Sequence, residues 1–256
     1  MNLLQSVFLG IIEGVTEFLP ISSTGHLILA EHVLKLPSTD FLKTFSIFIQ
    51  LGAILAVVWL YLPKIIRSKK LWLSVILAFI PTGILGALAY PFIKSYLLGN
   101  VLVTALSLLI GGVLLLYLDK KFKQKSATHS VNDMSPVKLV IIGLFQAFSF
   151  IPGVSRSAAS IIGGLTVGLS RVEAVEFSFL LAIPTMVSAT GYDLLKSNLA
   201  FSSNDLSLLL IGFLVSFITA IIAIKAFLKF VVRNGFFPFA IYRIVLALLV
   251  LVLLGS

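Results

Sequence analysis

Six stretches of this chain stay apolar for about twenty residues each, the length a helix needs to cross the hydrocarbon of a bilayer. They run from Phe41 to Leu62, Leu71 to Tyr90, Val101 to Leu118, Ala174 to Leu194, Leu206 to Leu228 and Phe236 to Leu254. Continuous apolar runs of this length leave few folds open. Inside lipid every backbone N–H and C=O must be bonded within the protein, which such runs achieve as α-helices. Composition agrees: of 256 residues, 59% are hydrophobic and only 11% charged, with a mean hydropathy of +1.13. A soluble domain is excluded, and an all-α polytopic integral membrane protein is expected.

Two further apolar regions depart from the spanning template. Met1 to Leu36 is interrupted by Pro20 and the polar run Ser22, Ser23, Thr24, Gly25; Pro136 to Leu169 is interrupted by Pro152, Gly153 and by Ser155, Arg156, Ser157. Each reads as two half-length helices around a kink, the pattern of a re-entrant hairpin. Helix-start signals fit these boundaries. Ser135 before Pro136 is an N-cap followed by proline, Asn204 precedes Asp205 and Leu206, and Ser170 with Glu173 has capping-box spacing, which gives Glu173 a structural role.

The broken regions resemble each other. Gly10 to Thr16 aligns with Gly143 to Ser149, setting Glu13 over Gln146, and with one gap Pro20 to Ser23 aligns with Pro152 to Ser155; downstream, Phe45 and Ser46 head a span as Phe177 and Ser178 do. The chain therefore reads as one membrane domain, 1–256, made of two repeats. The first, 1–125, has a hairpin (1–36) and spans 41–62, 71–90 and 101–118. The second, 126–256, has a hairpin (136–169) and spans 174–194, 206–228 and 236–254. Three spans per repeat is an odd number, so the second copy enters from the opposite face, an inverted-topology repeat.

Charge sets the orientation. Lys64, Arg67, Lys69 and Lys70 follow the first span, Lys120, Lys121, Lys123 and Lys125 the third, and Lys229 and Arg233 the fifth; the other loops offer Lys94, and Lys196 beside Asp193. The basic face is cytoplasmic, so the first hairpin enters from outside and the second from the cytoplasm, and the C-terminus lies outside. The net charge of +9 is spread over these loops rather than gathered in a patch, so no nucleic acid is expected as a partner. Cysteine is absent, which excludes thiolate chemistry. The first basic residue is Lys35, so no signal peptide is expected and the N-terminus should belong to the fold.

The polar residues concentrate at the two breaks. Glu13 and Glu17, four apart, share one helix face, and a carboxylate at membrane depth persists only when paired or functional. Ser22, Ser23 and Thr24 open the half-helix that carries His26, and a helix N-terminus with free N–H groups suits a phosphate. Ser155, Arg156 and Ser157 do the same for the opposing half-helix and add a guanidinium, the best side-chain partner for phosphate oxygens. Arg156 must find an anion or reach water. Glu31, His32 and Lys35 read as interfacial, His129 as a loop residue, and Arg171, Glu176 and Arg243 as members of structural ion pairs.

These residues carry a family resemblance. Glu13 to Glu17, EGVTE, resembles the (E/Q)xxxE motif, and Pro152 to Ser160, PGVSRSAAS, resembles the PGxSRSxxT motif, of the undecaprenyl-diphosphate phosphatase (bacitracin-resistance) family; Pro20 to His26, PISSTGH, is similar too. Ser160 departs from the usual threonine, keeping the hydroxyl and losing a methyl. The resemblance implies a hydrolase that removes the terminal phosphate of undecaprenyl diphosphate, recycling the lipid carrier of cell-wall synthesis and conferring bacitracin resistance. It implies divalent-metal stimulation and a bacterial cell-membrane site reached from the outer face. It implies Glu17, Ser23, His26 and Arg156 as the catalytic core, supported by Ser22, Thr24, Ser155 and Ser160, with Glu13 less critical.

Such chemistry needs a nucleophile, proton handling and charge stabilisation. Ser23 is the first candidate nucleophile, with His26 or Glu17 as base; direct attack by His26 or by a metal-activated water fits the same residues. Glu13 and Glu17 suit Mg²⁺ or Ca²⁺ as hard oxygen ligands. Expected partners are the polyprenyl diphosphate and membrane lipids, with a homodimer allowed. The rival class is a lipid-phosphate transporter or flippase, which shares inverted repeats and broken helices. Acid, base, hydroxyl and guanidinium gathered in one place favour hydrolysis.

Overall fold

The computed structural model of the chain describes residues 1–93, 97, 100–122, 130–196 and 202–254. Lys94, Lys123, Lys125 and His129 lie outside the described residues, as do the side chains of Asp193 and Lys196. The described residues form ten α-helices and no β-strand: α1 (Leu3–Thr16), α2 (Ser23–Val33), α3 (Asp40–Arg67), α4 (Lys69–Phe92), α5 (Val101–Phe122), α6 (Pro136–Ala147), α7 (Arg156–Thr166), α8 (Arg171–Lys196), α9 (Ser203–Asn234) and α10 (Phe237–Leu254). Of these, α3, α4, α5, α8 and α9 are long and apolar enough to cross a membrane, while α1, α6 and α10 are shorter apolar helices. The protein is an all-helical, multi-pass membrane protein.

Each helix keeps its start for a local reason. Asn2 and Gln5 form a capping box on α1, Thr39 caps α3, and Ser170 exchanges bonds with Glu173 at the head of α8 as the sequence suggested. The start of α9 corrects one expectation. Ser202, not Asn204, is the cap: its hydroxyl accepts from Asp205 N at 3.2 Å while the Asp205 carboxylate accepts from Ser202 N at 3.0 Å. The Ser-x-x-Asp spacing wins because it satisfies two end donors reciprocally, leaving Asn204 inside the first turn.

Packing crosses between the two halves of the chain. Helix α1 lies along α9 and α6 lies along α4, while α3 packs on α9, α8 on α4, and α5 on α10. Small residues allow these close approaches. A Cβ on Gly10 would stand 2.7 Å from the Gly212 carbonyl oxygen, and one on Gly143 would run into the backbone of Ala78. Such contacts bring helices together where no hydrophobic driving force separates protein from lipid. A hydroxyl lies at each crossing: Thr82 donates to the Gly143 carbonyl at 2.8 Å, while Thr219, which donates to Val215 O at 2.8 Å within its own helix, sits 3.5 Å from the Gly10 carbonyl.

Two of the expected ion pairs are present, Lys64 with Glu176 and Arg171 with Asp119, each at 2.7 Å. Arg243 forms none among the described residues. Its guanidinium donates to five backbone carbonyls instead, so the expectation of an ion pair is corrected.

Candidate active site

The two interruptions meet. Pro20 stands in the break at residues 17–22 and Pro152 with Gly153 in the break at 151–155, and both breaks end on a serine that caps the next half-helix. Ser22 (φ 69°, ψ 93°) accepts from Gly25 N and Ser155 (φ 71°, ψ 117°) from Ala158 N. Both backbones sit in a positive-φ region that L-residues avoid, a strain that persists only where surrounding bonds over-determine it. The two eleven-residue half-helices α2 and α7 thus start side by side in the fold, with Ser23 and Arg156 as their first residues.

Glu17 joins them. It extends α1 by one bond, Glu17 N to Glu13 O at 2.9 Å, so its side chain stays on the Glu13 face. One carboxylate oxygen, Oε1, accepts from Arg156 Nη2 at 2.9 Å, and the other, Oε2, accepts the Ser23 hydroxyl at 2.5 Å. The pair is buried, with side-chain exposures of 10% for Arg156 and 5% for Glu17. Charge-assisted bonds of this length are the strong ones, and here solvent does little to weaken them.

The guanidinium is fixed on its other sides. Nη1 donates to the Ser178 carbonyl at 2.9 Å and lies 3.4 Å from its hydroxyl, and the group sits 5.5 Å from the centre of the Phe18 ring. Ser160 Oγ is bonded to Ser178 Oγ at 2.7 Å and also lies 2.9 Å from the Arg156 carbonyl oxygen. A chain of contacts therefore runs from Ser160 through Ser178 and Arg156 to Glu17 and Ser23. Arg156 Nε is buried and unpartnered.

His26 sits apart from that chain. Its Nδ1 lies 2.7 Å from the Ser22 carbonyl oxygen, which only accepts, so Nδ1 carries the proton. In the neutral ring Nε2 is then the acceptor, and it receives the Tyr242 hydroxyl at 2.7 Å, the two rings stacked at 5.4 Å. Ser22 and Ser155 are buried caps, and Ser157 is fully buried with its Oγ 3.5 Å from Ser155 Oγ. Thr24, in the first turn of α2, is exposed.

Glu13 is fully buried, and neither of its carboxylate oxygens has a partner. A bare carboxylate at this depth is costly unless something compensates it. The two free oxygens of Glu13, beside a Glu17 carboxylate whose oxygens already accept from Arg156 and Ser23 but keep further lone pairs, fit a Mg²⁺ or Ca²⁺ ion whose remaining positions are filled by water and phosphate oxygens. Among the described residues no group of three or more His, Cys, Asp and Glu side chains gathers, so protein alone would not complete such a shell.

Three residues at the site escaped the sequence reading. Ser178 was visible only as a repeat marker; Tyr242 and the role of Arg243 lie in the last helix, where a tyrosine before an arginine in an apolar run was the available signal.

The comparisons follow the same motifs. A family model described as bacitracin resistance protein BacA matches residues 6–249. The chain is 51% identical over 244 residues to the undecaprenyl-diphosphatase of Aquifex aeolicus (strain VF5), covering 95% of each chain. It is 48% identical over 254 residues to that of Persephonella marina, covering 98% of each, and 48% identical over 246 residues to that of Thermus thermophilus, covering 95% of this chain and 94% of the relative. Both motif loops and all ten helices overlap the matched region, and on that full-length likeness this chain belongs to the BacA bacitracin-resistance family.

Proposed function

We infer that this protein hydrolyses undecaprenyl diphosphate to undecaprenyl phosphate and inorganic phosphate, a reaction that recycles the lipid carrier of peptidoglycan synthesis and confers bacitracin resistance. The full-length likeness to undecaprenyl-diphosphatases supports the substrate. The observation that carries the chemistry is Glu17 holding Ser23 through one oxygen and Arg156 through the other.

That arrangement favours Ser23 as nucleophile with Glu17 as base. The Ser23 hydroxyl points its proton at Glu17, whereas His26 is committed to Ser22 and Tyr242. Ser23 Oγ forms a bond to the terminal phosphorus and its proton passes to Glu17. The bond from that phosphorus to the bridging oxygen breaks, and undecaprenyl phosphate leaves with the bridging oxygen. Water then attacks the phosphoserine: the bond from phosphorus to Ser23 Oγ breaks, Glu17 returns its proton to Oγ, and the water's oxygen leaves in inorganic phosphate with its proton released to solvent. Arg156 turns to the equatorial phosphate oxygens as charge builds there, and the N-termini of α2 and α7, with Ser22, Thr24, Ser155 and Ser157, supply further donors. Ser160 acts on this site through Ser178, which holds Arg156. Glu13 and Glu17 are the residues that would hold a divalent cation, which when bound supplies Lewis-acid charge stabilisation.

The topology we propose is an inverted repeat of 1–125 and 126–256, each with a re-entrant hairpin and three spans. The reciprocal packing of α1 on α9 and α6 on α4 supports it. We place the opening of the site on the extracytoplasmic side, as the family resemblance implies, with the Lys- and Arg-rich loops on the cytoplasmic face. All the residues invoked come from one chain, so a homodimer is not required, and no nucleic acid takes part.

The test is phosphate release from a polyprenyl diphosphate by purified protein in detergent, with Mg²⁺, Ca²⁺ or neither. Release is expected, because hydrolysis needs no second compartment. Folded protein that releases none under every metal condition overturns the reading and leaves lipid-phosphate transport in liposomes as the activity to measure.

A further inference from the structure

Arg243 is a fully buried arginine inside α10, and its surroundings are unlike those of a structural ion pair. Nε donates to the Leu108 carbonyl at 3.4 Å. Nη1 donates to Pro20 O at 3.2 Å and Val154 O at 3.0 Å, and Nη2 to Ser107 O at 3.2 Å and Gly153 O at 2.9 Å. A guanidinium has five N–H donors in a rigid plane, and here every one ends on a main-chain oxygen. Three of those oxygens belong to the apexes of the two broken regions, two or three residues before Ser23 and Arg156, and two belong to α5.

We propose that Arg243 is the positioning residue that sets the two site loops at their working separation. It touches no reacting atom. The loops come from opposite halves of the chain and are strained at Ser22 and Ser155; Ser178 holds the Arg156 side chain, but the Arg243 guanidinium is what bonds the main chain of both loops at once. Arg243 supplies that anchor by holding Pro20, Gly153 and Val154 against one helix. Its space is provided by Gly111, where a Cβ would run into the guanidinium. The residue before it, Tyr242, holds His26, so one turn of α10 fixes both loops and the histidine. Lysine cannot substitute: it offers three donors without a planar fork, leaving at least two carbonyls unpaired. The proposal rests on the reading of Glu17, Ser23 and Arg156 as the reacting groups.

The test compares wild type, Arg243→Lys and Gly111→Ala in detergent by steady-state phosphate release, thermal unfolding, and the distance between nitroxides on cysteines placed at Leu19 and Ile151 of the otherwise cysteine-free chain. Arg243→Lys should unfold cooperatively and keep a KM close to wild type. Its kcat should fall on the order of 10²-fold, the scale of a displacement of about 1 Å at a reacting centre, and its nitroxide distances should broaden. Gly111→Ala, which keeps the arginine and displaces it, should show the same signature more weakly, and it takes over the test if Arg243→Lys does not fold. Wild-type kcat in the folded variant, or a lost kcat with an unchanged distance distribution, overturns the proposal. Failure of wild type to release phosphate would instead count against the hydrolase reading, with the nitroxide distances still reporting on the clamp.

Discussion

Arg156 and Glu17 stand 139 residues apart in sequence and 2.9 Å apart in the structure. Among the described residues each is the only formal counter-charge bonded to the other, so the two motifs depend on each other for stability as well as for chemistry. Removing one member of a buried pair leaves an uncompensated charge and costs about 3–5 kcal/mol. Arg156→Ala should therefore both abolish phosphate release and lower the thermal midpoint in detergent. Glu17→Gln should abolish release at a smaller cost in stability, because the neutral amide still accepts from Arg156. Unfolding curves on both variants beside the activity assay check this; an Arg156→Ala protein as stable as wild type would contradict the pairing.

Ser23 and His26 are separable by kinetics. Ser23 donates to Glu17 at 2.5 Å, while His26 Nε2 receives Tyr242. Ser23→Ala should lose kcat by several orders of magnitude, as removal of a nucleophile does. Tyr242→Phe removes one hydrogen bond to His26 and should cost only about 2–10-fold. Rapid acid quench of wild type should trap phosphoserine on the peptide that holds Ser23; trapped phosphohistidine would assign the attack to His26 instead.

Glu13 makes a prediction that does not need turnover. Its two oxygens are buried without partners, whereas Gln146, which the sequence sets over Glu13, donates its amide to Thr82 at 3.2 Å and Thr185 at 2.9 Å. If Glu13 helps to hold a cation, Mg²⁺ or Ca²⁺ should raise the thermal midpoint of wild type, because a ligand that binds only the folded state stabilises it. Glu13→Gln should lose that rise and the metal stimulation of phosphate release together. Without metal its midpoint should be no lower than wild type, since the substitution replaces an unpartnered carboxyl in a dry site with a neutral amide. A Glu13→Gln protein with an undiminished metal response would remove Glu13 from the metal site.

What was legible in advance is what contrasts with lipid. Prolines, serines, carboxylates and Arg156 stand out against apolar helices, so the breaks, the motifs and most helix boundaries could be read from the chain. What the eye could not reach depends on which face of an apolar helix meets which neighbour. Spans that are apolar all round carry no amphipathic stripe to mark the inward side. Ser178 therefore looked like one more small residue in a span until α7 was packed against it. Arg243 called for a carboxylate by charge logic, yet its partners are carbonyls, which every residue has and no motif announces. The pairing of α1 with α9 is likewise tertiary, hinted at only by glycines that many membrane helices share.

The two half-helices also differ in how they end. Helix α2 ends with Lys35 N bonded to His32 O and Leu36 N to Glu31 O, and α7 ends with Gly168 N bonded to Leu165 O and Leu169 N to Gly164 O. These are the same paired closure of a helix C-terminus, which requires a left-handed residue. Helix α7 has Gly168 there at φ 102°, and α2 has Lys35 there at φ 50°. A Cβ in that conformation costs roughly 1–2 kcal/mol, part of it returned by glycine's greater freedom in the unfolded chain. Lys35→Gly should thus raise stability by up to about 1 kcal/mol, and Gly168→Ala should lower it by about 1 kcal/mol or more. Lys35 is exposed and makes no part of the site, so Lys35→Gly should leave kcat unchanged. Thermal or denaturant unfolding of the two variants in one detergent checks the pair, and equal effects of the same sign would mean that the two helix ends are not equivalent.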